Sequence, residues 1–165
     1  SDLTRMPSMR DSPSVAHATP DAPPLLAVRN LRVQLPTAQG LAEAVRGLDF
    51  VLTRGETLGL IGESGCGKSL SALALMGLLP EGARVSGSVQ FEGCELTTLP
   101  ERDLCALRGN RMAMIFQEPM SALNPVHTVG RQVAEPLRLH RGLSAAQARE
   151  AAAALLDRVG IAQAR

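Results

Sequence analysis

The sequence predicts an α/β fold, a mainly parallel sheet core accompanied by an antiparallel β subdomain. Three observations predict it. A glycine-rich loop at 62–69 stands between a short apolar run at 57–61 and a stretch of good helix formers. A continuous apolar run at 112–116 has the composition of a strand covered on both faces. Segments 25–35, 44–52 and 85–91 alternate apolar and polar residues, the period of half-buried strands.

Residues 1–24 are rich in Ser, Pro, Asp and Ala and read as a disordered leader or linker, so the domain is expected over 25–165. In 25–35, Val28, Leu31 and Val33 are apolar among Arg29, Asn30 and Arg32. Residues 36–40 break the strand, and 44–52 reads as its return. Arg54-Gly55-Glu56 signals a turn before the strand at 57–61. A helix is expected over 69–79, ended by Pro80 and Gly82. In 85–91, Val85, Gly87, Val89 and Phe91 share one side, with Ser86, Ser88 and Gln90 on the other. Pro100 opens a short helix through about Leu107, since proline suits a first helical turn. Beyond the apolar strand at 112–116 and a loop at 117–125, a helix is expected from about Val129 towards His140. Ser144 and Gln147 form a capping box that starts a helix to Val159, with Ala148, Ala152, Leu155, Leu156 and Val159 at helical spacing.

Composition narrows the function. At 165 residues and 45% hydrophobic, the chain is about one domain with material for a real core. Its 17 basic and 16 acidic residues leave a net charge of +1, which argues for neither nucleic acid nor an anionic membrane surface. With three Phe, no Trp and no Tyr, it lacks the stacking platforms of single-strand binders, and no nucleic-acid partner is expected. Cys66, Cys94 and Cys105 make no CxxC pair and their odd count leaves one unpaired, which suits a reducing cytosol. His17, His127 and His140 lie far from them in sequence and read as scattered residues rather than a metal site. No apolar run approaches the roughly 18 residues of a spanning helix, so any work at a membrane is expected to go through a partner. Arg102, Arg108 and Arg111 read as a solvated face, with a contact surface as the alternative.

The strongest signal is Gly62-Glu63-Ser64-Gly65-Cys66-Gly67-Lys68-Ser69, which fits G-x-x-x-x-G-K-[ST] in full. Glycines let the backbone curl so that successive N–H groups converge on phosphate oxygens. The loop feeds a helix N-terminus, whose unpaired N–H groups and dipole add to the attraction for anions. Lys68 supplies a mobile cation for the β- and γ-phosphates, and the Ser69 hydroxyl a ligand for Mg²⁺. All eight residues are therefore candidate ATP-binding residues, with ATP and Mg²⁺ the expected cofactors. The flanks match what the motif requires: an apolar run before it and helix formers after it.

Two further segments narrow the reading. Gly55-Glu56-Thr57-Leu58-Gly59-Leu60-Ile61-Gly62-Glu63-Ser64-Gly65 resembles the approach to the Walker A motif of ABC-transporter ATPases. Met114-Ile115-Phe116-Gln117-Glu118-Pro119-Met120-Ser121-Ala122-Leu123-Asn124-Pro125 resembles the Q-loop segment of that family. The form with Pro119, Leu123-Asn124-Pro125 and Thr128-Val129-Gly130 is similar to the subfamily that imports dipeptides, oligopeptides or nickel. The resemblance covers the chain from about Leu25 onward and implies a P-loop NTPase core. It implies that Gln117 contacts the Mg²⁺ and attacking-water region and that its loop responds to transmembrane permease subunits. It also implies a second ATP-binding subunit, in a homo- or heterodimer, and indirectly a solute-binding protein. The place implied is cytoplasmic, peripheral on the cytoplasmic face of the cell membrane.

The chain departs from the family pattern twice. Val33-Gln34-Leu35-Pro36 offers no aromatic to stack on adenine, so base contact through Leu35 is apolar only. The sequence reaches Arg165 without an LSGGQ-type signature, a general-base Glu or a switch His. The fold is thus expected to be incomplete at the carboxy terminus, with hydrolysis a property of the full-length subunit rather than of this stretch. Two other functions fit a phosphate loop. One is a different P-loop NTPase, though the guanine-reading N-K-x-D of a GTPase is absent. The other is a regulatory or interaction module without turnover.

Overall fold

The structure is a computed structural model, and it describes residues 23–63, 65, 67–118 and 122–161. The leader expected over 1–24 lies almost wholly outside the described residues, as do Ser64 and Cys66 of the glycine-rich loop. The chain divides into two units, Ser1–Ser71 with Gly82–Glu95, and Ala72–Glu81 with Leu96–Arg165.

The first unit is built on an antiparallel sheet of order β2-β1-β3-β4, formed by β1 (Leu26–Thr37), β2 (Gly40–Leu52), β3 (Arg84–Phe91) and β4 (Cys94–Glu95). β1 and β2 run longer than the sequence suggests, because Thr37 pairs with Gly40 across a two-residue turn. Pro36 is part of β1. It lies past the last β1–β3 pair, Gln34 with Arg84, where β1 has a neighbour on one side only, a position at which a strand tolerates proline.

The three-residue step from Val28 to Leu31 breaks strict alternation, and a bulge absorbs it. The register of β1 shifts there against both neighbours, between Val28 and Leu31 on the β2 side and between Arg29 and Arg32 on the β3 side. Asn30 takes a left-handed conformation, φ +46°, and its N–H donates to Asp49 Oδ1 at 2.8 Å. Opposite it, a Cβ on Gly87 would stand 2.3 Å from the Asn30 carbonyl oxygen, so only glycine fits. The bulge returns Val28, Leu31 and Val33 to one face, where they are fully buried with Val89.

The turn after β2 is closed by Glu56. Its carboxylate accepts from the Thr53 N–H and the Thr53 hydroxyl, each at 2.8 Å, and these bonds hold it below the ordinary value of 4.5. A carboxyl with a lowered folded pKa stabilises the fold above its unfolded pKa, and that contribution is lost as pH falls through the folded value. Thermal melting should therefore fall more steeply between about pH 5 and pH 3 in the wild type than in Glu56→Gln, whose amide accepts at any pH. Equal pH slopes for the two proteins would contradict the assignment.

Two expected strands are corrected. Neither 57–61 nor 112–116 forms a strand; Met112 makes an isolated bridge to Arg108, and the remainder has no regular structure. Ile61 is 99% and Ile115 98% exposed, so the run at 112–116 is not buried on both faces. A strand of a parallel sheet needs ladder partners at its edges and helices over its faces. Among the described residues the sheet consists of β1 to β4 alone, and neither run pairs with it.

Helix α1 (Lys68–Leu75) begins in the first unit and ends in the second. It stops short of the expected 79 because Gly77 turns the chain. Gly77 has φ +63°, its N–H donates to Ala74 O at 3.1 Å, and the Leu78 N–H donates to Leu73 O at 2.9 Å, a Schellman cap. In the second unit follow α2 (Glu101–Leu107), α3 (Val129–Arg141) and α4 (Ala145–Arg158). Pro100 is the N-cap of α2, and both hydrogen bonds of the Ser144–Gln147 capping box are present at the start of α4. α3 and α4 meet through Ala134, Ala148 and Ala152, with Val133, Leu137 and Leu143 packed around them. Of the α4 positions expected on the apolar face, Leu156 is buried, whereas Leu155 and Val159 remain exposed.

Arg108 does not belong to a solvated face. Its side chain is 16% exposed; Nε donates to Met76 O at 2.7 Å and Nη2 to Gly77 O at 2.9 Å, and Glu101 pairs with the same guanidinium. A cation on the carbonyls just past the carboxy-terminal end of α1 is favoured by the helix dipole. Hydrogen bonds from Arg108, then one from Cys105, hold the Glu101 carboxyl below its ordinary value.

Candidate phosphate-binding site

The residues at 62–67 lead into α1, whose first residue is Lys68. Gly67 is buried with φ +88°, and an added Cβ would lie 2.6 Å from Ala44 O and 3.1 Å from Val45 Cγ2. The loop is thus packed against the backbone of β2 at Gly67. Gly65 shares the left-handed conformation, φ +83°, but faces open space. Gly67 is demanded by conformation and by crowding, and Gly65 by conformation alone.

The Lys68 ammonium donates to Gly62 O at 2.6 Å and Glu63 O at 2.7 Å, folding its side chain back along the loop. Two carbonyls then hold the cation over the loop it is expected to serve. Ser69 follows on the first turn of α1 and is exposed. Ser71, which the sequence reading passed over, is a buried polar residue, and its hydroxyl donates to Gly67 O at 2.9 Å beside the helical bond from its own N–H. Its signal in the sequence is a hydroxyl four residues after the last loop glycine, where it can close the first turn from the side chain.

The structure gathers Gly62, Glu63, Gly65, Gly67, Lys68 and Ser69 in one loop and helix start. Gln117 is exposed and belongs to the second unit. Among the described residues no cluster of His, Cys, Asp or Glu could hold a metal ion. The donor set at the loop fits Mg²⁺ nonetheless, because that ion takes few protein ligands and is bound largely by phosphate oxygens and water. Gly67→Ala is expected to weaken phosphate binding about tenfold, since left-handed backbone alone costs a non-glycine residue about 1–2 kcal/mol. Gly65→Ala carries the backbone cost without the contact on Ala44, so it should lose less. Titration of both variants with a fluorescent ATP analogue checks this, and equal losses would remove the role given to crowding.

The profile of the ABC transporter family matches residues 45–165. The chain belongs to the ABC transporter family. Among its relatives, the oligopeptide transport ATP-binding protein OppD of Salmonella typhimurium is 48% identical over 154 residues, which are 93% of this chain and 46% of OppD. OppD of Escherichia coli is 46% identical over 158 residues, covering 96% of this chain and 47% of that protein. The chain therefore spans about half the length of these relatives. A solved dimeric ATP-binding cassette, MJ0796 in a post-hydrolysis state bound to ADP and Pi, superposes with a TM-score of 0.68 at 22% identity, covering 80% of this chain and 56% of that one. The likeness establishes an ABC ATPase fold and bears out the α/β P-loop class. No helix among the described residues is long and apolar enough to cross a membrane.

Proposed function

We propose that this chain is the nucleotide-binding part of an ATPase subunit that powers peptide import, and that MgATP sits on the loop at 62–69. The observation that carries the proposal is Lys68 at the first position of α1, its ammonium folded over the loop carbonyls, in a chain 48% identical to an oligopeptide transport ATP-binding protein. The N–H groups of the loop and of the first turn of α1 bind phosphate oxygens, and Lys68 shifts from the carbonyls of Gly62 and Glu63 to the β- and γ-phosphates. The Ser69 hydroxyl would ligate Mg²⁺, which would supply charge neutralisation during phosphoryl transfer, and the family's Q-loop pattern gives Gln117 a role towards the same ion. Gln117 also orients the attacking water, and its loop answers to permease subunits of the membrane.

Hydrolysis belongs to the longer protein, in which two ATP-binding subunits act together on the cytoplasmic face of the membrane and a solute-binding protein delivers the peptide. The support is the identity to OppD across most of this chain; nickel has no comparable support. The test is uptake of labelled oligopeptide by cells whose genomic copy of the gene carries Lys68→Ala. Uptake should be lost; undiminished peptide uptake with a stable variant protein would rule out this assignment.

A further inference from the structure

Residues 124–127, just before α3, are held by the side chain of Gln132. Its carboxamide oxygen accepts from the Asn124 N–H at 2.8 Å, and its Nε2 donates to Asn124 O and His127 O, each at 2.9 Å. The amide pairs with both backbone groups of Asn124, as a neighbouring strand would, and uses its remaining donor one turn further on. The loop is braced on the same residues: Asn124 Oδ1 accepts from the Val126 N–H at 2.9 Å, and the His127 N–H donates to Asn124 O at 3.2 Å. Thr128 Oγ1 then caps α3 by accepting from the Arg131 N–H, and the Arg131 guanidinium meets the His127 ring.

We propose that Gln132 is a positioning residue that clips the loop at 124–127 to the first turns of α3, so that these residues and the helix move as one body. Its place in the transport cycle rests on the ATPase function proposed above; the clip itself does not. The chemistry needs a carboxamide. A carboxylate can accept from Asn124 but turns two negative oxygens towards the carbonyls of Asn124 and His127, and a leucine of similar size makes none of the three bonds. The loop it holds is otherwise open to solvent, with Val126 83% exposed, so little packing could replace it.

The experiment is residue-resolved hydrogen exchange on the full 165-residue chain, comparing wild type, Gln132→Leu and Gln132→Glu at several pH values. In Gln132→Leu the protection of the Asn124 and His127 amides should drop about tenfold, with the amides of β1 and β3 unchanged. In Gln132→Glu protection at the same two amides should be low near neutral pH. It should recover relative to wild type as the introduced carboxyl protonates and regains one donor, a pH profile that a general packing defect would not produce. Protection within twofold of wild type in Gln132→Leu, or a Gln132→Glu variant whose protection does not respond to pH, would overturn the proposal. MgATP titration of the same samples stands apart: a wild type that does not bind defeats the proposed function and leaves the exchange result to decide the clip.

Discussion

Lys68→Ala is expected to weaken MgATP binding by about ten- to a hundredfold, the equivalent of the 1.5–3 kcal/mol that a charge-assisted hydrogen bond commonly contributes. The substitution removes the cation at the start of α1 and also the two bonds it makes to the carbonyls of Gly62 and Glu63. Both losses act on the same loop, one by removing attraction for the β- and γ-phosphates and one by releasing the backbone that receives them. Calorimetry on wild type and variant measures the difference, with circular dichroism to show that the variant is folded. A folded variant with wild-type affinity would mean that the loop at 62–69 is not where nucleotide binds.

The largest stability effect is expected at Arg108. Arg108→Met keeps most of the aliphatic stem and deletes the guanidinium that bonds the carbonyls of Met76 and Gly77. Two hydrogen bonds from a charged donor, at 1.5–3 kcal/mol each, put the loss at about 3 kcal/mol or more in urea denaturation. Glu101→Gln leaves both carbonyl bonds in place and disturbs only the bonds that a largely exposed carboxylate makes with Arg108 and Cys105, so its effect should be much smaller. If the two variants lose equal stability, the ion pair rather than the helix cap holds α2 to the end of α1. Gly77 offers a cross-check, because a Cβ there would meet Arg108 Nη2 at 2.9 Å and Leu104 Cδ1 at 3.0 Å.

The sequence by itself determined the parts whose chemistry is local. The phosphate loop is legible because G-x-x-x-x-G-K-[ST] specifies backbone conformation, cation and hydroxyl within eight consecutive residues, and the capping box of α4 because both of its bonds close within one turn. The places of β1, β2, β3 and the four helices followed from hydrophobic period and capping signals, β4 and the two unpaired runs did not, and the family followed from the segments around Gly62 and Gln117. Tertiary structure decided whatever depends on residues distant in sequence. The step from Val28 to Leu31 reads as imperfect alternation until Asp49 and Gly87 make room for a bulge at Asn30. Arg108 reads as a surface charge until the carbonyls at the end of α1, more than thirty residues away, give its guanidinium a partner. The runs at 57–61 and 112–116 have the composition of core strands, yet composition is only a propensity. A strand exists when another strand takes up its N–H and C=O groups, and among the described residues neither run is paired with any strand of the sheet.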